Sequence, residues 1–293
     1  MNSLIGGAAS TTTDTVTIQP KRLSRLCVVT AADVEFRAVA GLLGPATDER
    51  SGALRLCRGR VGRLEVTLLI SEIGASGFAE GLATHLAATE YDGLIVIGLA
   101  GGLDPGLKTG DAVVYDSCIR ARIRADFSAV NISAESFARE KRSAREEIAS
   151  LACDAELSNQ IFETLKTAEV ACRRVTGLTV DRVIIDAADK RALGRRYGAA
   201  AADMETYQVL AVCERFGLPA TAVRLISDEA DEDLPDFNRA LNSEGKISNL
   251  KASLVMIARP VAAARFLFNF SRVLSALRQV ASLVFNGAAG GLA

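Results

Sequence analysis

Tryptophan is absent from these 293 residues, and histidine occurs once, as His85. Aromatic residues make up 5% of the chain, too few for a platform on which successive nucleic-acid bases could stack. An excess of either charge is missing as well. Thirty-four basic side chains stand against 35 acidic ones, a formal net charge of −1, so nothing global points to nucleic acid or to an acidic polymer as partner. The six cysteines, Cys27, Cys57, Cys118, Cys153, Cys172 and Cys213, form no C-x-x-C pair and show no metal-ligand spacing. With a single histidine besides, a zinc site lacks its usual donors and a histidine-based triad has one candidate at most. Neither a metal nor a cofactor is expected. Apolar neighbours around each cysteine read as small buried hydrophobes in a reducing compartment. No uncharged apolar run of about 18 residues exists to span a membrane. Residues 1–22 are rich in Gly, Ala, Ser and Thr without an apolar signal core, and read as a flexible tail of a cytoplasmic protein.

What is present is a core. Hydrophobic residues make up 49% of the chain, enough for one large domain with appendages. Leu26–Thr30, Leu64–Ile70 and Leu94–Ile97 read as buried strands, with helices from about Asp33 to Leu43 and Phe78 to Glu90 between them and Gly74 and Gly77 in a turn. That alternation predicts an α/β sheet of parallel or mixed order, with ligands beyond the carboxyl ends of its strands. Strand character returns at Arg173–Val180 and Ala220–Ile226, whereas residues 131–169 carry no clear pattern and Glu135–Glu147 reads as a solvated, charged helix or loop. Three units follow: the tail 1–22, a domain over 23–240 and a helical extension over 241–293. In that extension Phe266, Phe270, Val273, Leu274, Leu277, Val280, Ala281 and Val284 share one helical face between Val261 and Phe285. Such a stripe packs on the domain or on a second subunit, or lies on a membrane surface as a peripheral contact.

Two segments carry candidate chemistry. Ile97-Gly-Leu-Ala-Gly-Gly-Leu103 follows the central strand, and its glycines allow a tight turn and close approach to a ligand. Ala100 breaks the dinucleotide fingerprint, and Leu107 stands where a P-loop needs lysine, so neither cofactor class fits. The second segment, Ala202 to Asp231, starts a helix at Glu205 and places Asp228 after a strand. Two carboxylates brought from distant positions into one cleft suit chemistry in which one holds or deprotonates and the other protonates. The bland alternative makes Glu205 a helix-start acid favourable to the dipole and Asp228 a loop cap.

Three blocks in order, Gly98–Leu103 with Thr109–Val114, then Asp203-Met-Glu205, then Arg224–Asp231, resemble the signatures of the nucleoside phosphorylase and nucleosidase superfamily. The resemblance spans about Leu26 to Asp231. It implies a three-layer fold with a central mixed, partly barrel-like sheet, a small-molecule nucleoside substrate and a homo-oligomer. By the same resemblance Asp228 is the acid that protonates N7 of a departing purine, supported by Ser227, and Glu205 accepts hydrogen bonds from the ribose hydroxyls with Met204 against the sugar. The base is met by the segment of Val183 and Ile184, although Val183 stands where an aromatic often stacks, and by the backbone at Ala100 and Gly101.

The nucleophile divides the superfamily. Thr30-Ala-Ala-Asp-Val-Glu35 replaces the phosphate loop of phosphorylases, and Glu35 matches the glutamate with which nucleosidases activate water. A carboxylate there repels phosphate and can take a proton from water, so hydrolysis is favoured over phosphorolysis. Arg37 and Arg224 keep an anion site open, Arg224 reading as structural if it pairs with an acid. Val180–Val183, Lys190, the Asp203-Met-Glu205 block, Leu234-Pro235 and Arg259-Pro260 together further resemble the hopanoid-associated branch, which implies adenosylhopane as substrate and gives the greasy C-terminal helix a purpose. Competing expectations are a purine nucleoside phosphorylase, a methylthioadenosine/adenosylhomocysteine nucleosidase, and a nucleoside-binding or membrane-associated protein that keeps the fold without turnover.

Overall fold

The computed structural model describes residues 22–51, 54–71, 77–122, 149–234 and 260–290, the last helix with side chains from Asn269 onward. Gly74, Glu135–Glu147, the N-terminal tail and Phe266 of the apolar stripe lie outside the described residues or side chains. In chain order the strands are β1 (Arg25–Thr30), β2 (Thr47–Ser51), β3 (Leu54–Val61), β4 (Leu64–Ile70), β5 (Gly93–Gly102), β6 (Ala112–Arg120), β7 (Ala149–Ala152), β8 (Cys172–Thr179), β9 (Ala201–Asp203) and β10 (Ala220–Asp228). The helices are α1 (Asp33–Ala40), α2 (Phe78–Ala88), α3 (Ala155–Thr167), α4 (Ala187–Tyr197), α5 (Thr206–Arg215) and α6 (Pro260–Ala288).

All ten strands form one mixed sheet, and part of it closes. β5 pairs in parallel with β10 and antiparallel with β9, and the ring continues through β6 and β8. β1, β4, β3 and β2 extend the sheet outward from β5. Closure removes edges that would otherwise offer unpaired backbone groups. Inside the ring the Tyr115 ring lies over Gly177, where a Cβ would stand 1.9 Å from it, so a large residue on one strand requires glycine on the next.

β5 shows why its sequence is so uniformly apolar. Ile95 and Ile97 face a core shared with α1, α3 and α6, while Leu94 and Val96 face a second core with α2 and α5. Helices on both faces leave no solvated side to the strand. The fold is thus three-layered, with a partly barrel-like sheet in the middle, as the resemblance implied.

Several expectations need correction. β5 continues through Gly98, Gly101 and Gly102, so these glycines lie within the strand and do not form a turn after it. Pairing with β10 as far as Gly101 and with β9 at Gly101 and Gly102 carries the backbone that far, and the glycines serve close approach instead. β10 likewise includes Asp228. α1 stops at Ala40 with Gly41 as its cap, and α2 stops at Ala88. Gly77 caps α2 at a φ of 95°, a left-handed backbone that glycine adopts without strain. A helix, α3, with Asp154 accepting from the Leu157 N–H at its start, occupies part of the span that showed no clear pattern.

The C-terminal helix belongs to the core. Val273, Leu277, Val280, Ala281, Val284 and Phe285 are buried against α1, α3 and the sheet, each at most 2% exposed. From Val273 onward the domain itself covers most of the described stripe, while Phe270 and Leu274 stay half-buried. Among the described residues no helix is long and apolar enough to cross one.

Candidate active site

β1, β5 and β10 run parallel side by side, and Glu35, Ala100, Gly101, Ser227 and Asp228 lie at or just beyond their carboxyl ends, where open α/β sheets bind ligands. Met204 and Glu205 follow β9, which is antiparallel to β5, and Val183 and Ile184 follow β8. Glu35 sits in the first turn of α1, just beyond β1. Its Oε2 accepts the backbone N–H groups of Ala31 and Ala32 at 2.9 and 3.0 Å, which by itself is ordinary helix-start satisfaction. Its Oε1 accepts the Leu99 N–H from β5 at 2.8 Å, a contact 64 residues away in sequence. A carboxylate offers about four lone-pair sites, so one on Oε1 remains for a water. Burial raises the Glu35 carboxyl above its ordinary range, with Arg224 and the three backbone donors pulling the other way.

The glycines of β5 make this approach feasible. A Cβ on Gly98 would stand 2.8 Å from Glu35 Oε2 and 3.0 Å from an Arg224 nitrogen, and one on Gly101 would stand 3.3 Å from Asp228 Oδ2. The Gly-rich run thus clears space for both ends of the site.

Arg224, fully buried on β10, organises the middle. Its Nη2 donates to Thr206 Oγ1 at 2.9 Å and to Glu205 Oε2 at 3.4 Å, and Nη1 donates to the Leu99 carbonyl at 3.4 Å. Nε lies 3.3 Å from Asp203 Oδ2 but is not aligned for a hydrogen bond, so that contact is Coulombic. Burial works against its charge, and Asp203 and Glu205 more than restore it. The arginine does pair with acids, and it also joins the Glu35 and Glu205 ends of the cluster. Arg37 points elsewhere: it is exposed and bonded to Asp33 at 2.7 Å.

Asp203, singled out in sequence only as part of its motif, caps α5. Its Oδ1 accepts the Glu205 and Thr206 N–H groups at 3.2 and 3.0 Å, and Oδ2 accepts the Thr206 hydroxyl. The helix-start role that could have belonged to Glu205 is therefore taken by its neighbour. Glu205 makes no cap bond and keeps its carboxylate for the site. Burial raises that carboxyl to about 7; Arg224 opposes the rise, and Asp203 and Glu35 add to it. Two buried acids, Glu35 and Asp203, and the mostly buried Glu205 around one buried arginine make a floor that is anionic on balance.

Asp228 ends β10 beside Gly101, where a register shift between Ile226 and Asp228 re-aims the chain. It is 4% exposed. Ser227 Oγ lies within hydrogen-bond reach of both Asp228 Oδ1 and the Ala100 carbonyl. One hydroxyl proton serves one acceptor at a time, so Ser227 can donate to an ionised Asp228, or accept from a protonated one while donating to Ala100. Lys190 of α4, which sequence reading left without a role in chemistry, is 1% exposed and donates to Asp228 Oδ2. Nothing in its local pattern signalled this, because the partner lies 38 residues away.

The segment after β8 is tied to the same loop. The Leu234 N–H donates to Ile185 at 2.9 Å and the Ala187 N–H to Asp233 Oδ1 at 2.9 Å, so Val183 and Ile184 border the chain that follows Asp228. Met204 and Ile184 pack on one small cluster with Leu103 and Val180. His85 lies on α2 with Tyr91 as its partner at 2.7 Å, and is no part of this site. The cysteines are free, five of them buried, and burial raises the thiols of Cys27, Cys57, Cys118, Cys153, Cys172 and Cys213.

Residues 25–258 match the model of the phosphorylase superfamily. The chain belongs to that superfamily. Among its relatives, the 5′-methylthioadenosine/S-adenosylhomocysteine nucleosidase of Actinobacillus succinogenes is 28% identical over 216 residues, 71% of this chain and 86% of that one. The protein of the same description from Marinomonas sp. is 28% identical over 234 residues, 78% of this chain and 96% of its own. Among solved structures, the Neisseria meningitidis nucleosidase of that description, in complex with methylthio-immucillin-A, superposes with a TM-score of 0.65 at 18% identity, covering 92% of this chain and all (100%) of that one. Futalosine hydrolase of Helicobacter pylori gives a TM-score of 0.58 at 20% identity, covering 85% and 97%.

Proposed function

We propose that this superfamily member is a nucleosidase that hydrolyses the N-glycosidic bond of a 5′-substituted adenosine and releases adenine. The observation that carries the reading is the acid cluster itself: Glu35 from beyond β1 and Asp203 and Glu205 from the end of β9 converge on Arg224 of β10. Cleavage builds positive charge on the sugar, and a buried anionic floor stabilises it. The same floor disfavours phosphate, since Arg224 is already engaged by carboxylates and a carbonyl. Glu35 takes a proton from the attacking water through its remaining lone pair, Glu205 accepts from the ribose hydroxyls with Met204 against the sugar, and Asp228 protonates N7. Ala100, Gly101, Val183 and Ile184 border the base. Relatives described as nucleosidases support water as the nucleophile.

Adenine release from methylthioadenosine, assayed with and without phosphate, tests the reading. Release that proceeds at the same rate without phosphate is expected, and strict dependence on phosphate overturns it. Asp228→Asn is expected to lower kcat by about 10²–10⁴-fold while ligand still binds, the range for loss of a general acid. Binding with no turnover in the unaltered protein would favour the non-catalytic alternative.

The narrower reading, adenosylhopane as substrate, rests on the Val180–Val183, Lys190 and Leu234-Pro235 resemblance. It gains little from the α6 stripe, most of whose described part is packed in the core. Adenosines with 5′-alkyl groups of increasing length separate the readings: kcat/KM that rises with chain length favours the hopane, and a fall beyond methylthio rules it out.

A further inference from the structure

Lysine is almost never fully buried without a partner, and Lys190 is 1% exposed. An ammonium has three N–H donors. Here all three are used: Asp228 Oδ2 at 2.5 Å, the Glu232 carbonyl at 2.8 Å and the Glu229 carbonyl at 3.1 Å. The placement runs against local preference, because Lys190 lies in the first turn of α4, where the helix dipole disfavours a cation. Such local conflicts persist where another contact compensates. Two of the three bonds fix the loop that follows Asp228, and the third fixes its carboxyl. With Ser227 on Oδ1 and Lys190 on Oδ2, both oxygens of Asp228 are held and the plane of the group is set.

We propose that Lys190 is a positioning residue for protonation of the leaving base: it holds the Asp228 carboxyl and stabilises the carboxylate left behind when its proton moves to N7. This rests on the assignment of Asp228 as the acid. In the step, the glycosidic C–N electron pair passes to the purine, the Asp228 O–H bond breaks and an N7–H bond forms. Before transfer the ammonium faces a neutral carboxyl, and afterwards a carboxylate. The second contact is the stronger, being charge-assisted on both sides, so the interaction grows along the reaction and lowers the barrier. Its contacts are with the Asp228 carboxyl and the loop carbonyls of Glu229 and Glu232, so it acts through Asp228.

The test compares two leaving groups on the full chain: methylthioadenosine, whose adenine departs with a proton, and the p-nitrophenyl β-riboside carrying the same 5′-methylthio group, whose nitrophenolate departs as a stable anion. Lys190→Met is expected to lower kcat on methylthioadenosine by about 10- to 100-fold, the scale of a misplaced catalytic group, with KM nearly unchanged and the nitrophenyl riboside cleaved as before. Lys190→Arg, which keeps the charge, recovers part of the loss. Asp228→Asn shows the same selectivity, and adding Lys190→Met to it changes the rate by no more than about threefold, because the two act as a unit. Equal losses on both substrates for Lys190→Met make the lysine a structural tie only and overturn the proposal. An Asp228→Asn variant that loses both activities alike removes the assigned acid, and the proposal falls with it. Should Lys190→Met fail to fold, the double variant, which removes both charges together, decides against Asp228→Asn alone: a further loss well beyond threefold on methylthioadenosine overturns it.

Discussion

At the scale of the residue, the site is a problem of charge. Glu35, Asp203 and Glu205 lie buried around Arg224, and the carboxyls of Glu35 and Glu205 are raised, Glu205 to about 7. On the proposed assignment Glu205 binds the ribose hydroxyls, and its ionised form is the stronger acceptor, so kcat/KM should climb through about pH 7 instead of between pH 4 and 5. A pH–rate profile of adenine release checks this, and a plateau already reached at pH 5.5 contradicts it. Stability runs the other way. A folded chain that holds a proton which the unfolded chain has released loses stability as pH rises from the unfolded value, about 4.3, to the folded one, about 7. Melting temperatures of the wild type should therefore fall relative to those of Glu205→Gln over that window. Parallel curves sink the idea. Neither effect was visible in sequence, since an acid next to a helix start looks the same whether it caps the helix or faces a ligand. Asp203 takes the cap, and only its bonds to Glu205 and Thr206 reveal that.

At the scale of the element, β5 does two jobs along its length. Leu94–Ile97 is buried on both faces, and its apolar run was readable as a strand because no position needed to meet water. Gly98–Gly102 stays in the sheet but gives up side chains at Gly98 and Gly101 so that Glu35 and Asp228 can come close. Reading those glycines as a turn followed from their backbone freedom; the reason they are there is the atoms on neighbouring chains. Gly98→Ala puts a methyl where Glu35 Oε2 and Arg224 already crowd. Overpacking of this kind costs about 1–3 kcal/mol, and a carboxylate displaced by about 1 Å costs about 10²-fold in rate. Thermal melts beside kcat measurements should show a modest drop in stability and a large one in turnover. An unchanged kcat would mean that Glu35 tolerates the shift and does not act on water from this position. The short helix α4 makes the opposite point, since its one buried lysine serves a strand end to which its own sequence gives no clue.

At the scale of the molecule, α6 closes the domain. Its stripe was legible as amphipathic from its spacing, but a stripe does not say what covers it. The chain covers the part from Val273 onward with α1, α3 and β10, so the helix holds in place the layer from which Glu35 projects. Phe285→Ala, at a fully buried position, should cost about 3–5 kcal/mol, as for a large core truncation. Denaturant melts check it, and a loss under about 1 kcal/mol would indicate that α6 contributes little to the core.

Sequence by itself determined the alternating α/β order, the apolar central strand, the amphipathic last helix and, through three spaced motifs, the superfamily. Those features are carried by contiguous or regularly spaced residues, so their signal is local. Tertiary structure decided the rest: closure of β5, β10, β6, β8 and β9, the burial of α6, the cap taken by Asp203, and the pairing of Lys190 with Asp228. Each is a contact between elements distant in the chain. Its energy depends on what the partner removes from water and on which hydrogen bonds replace that water, and neither is written in the spacing of one segment.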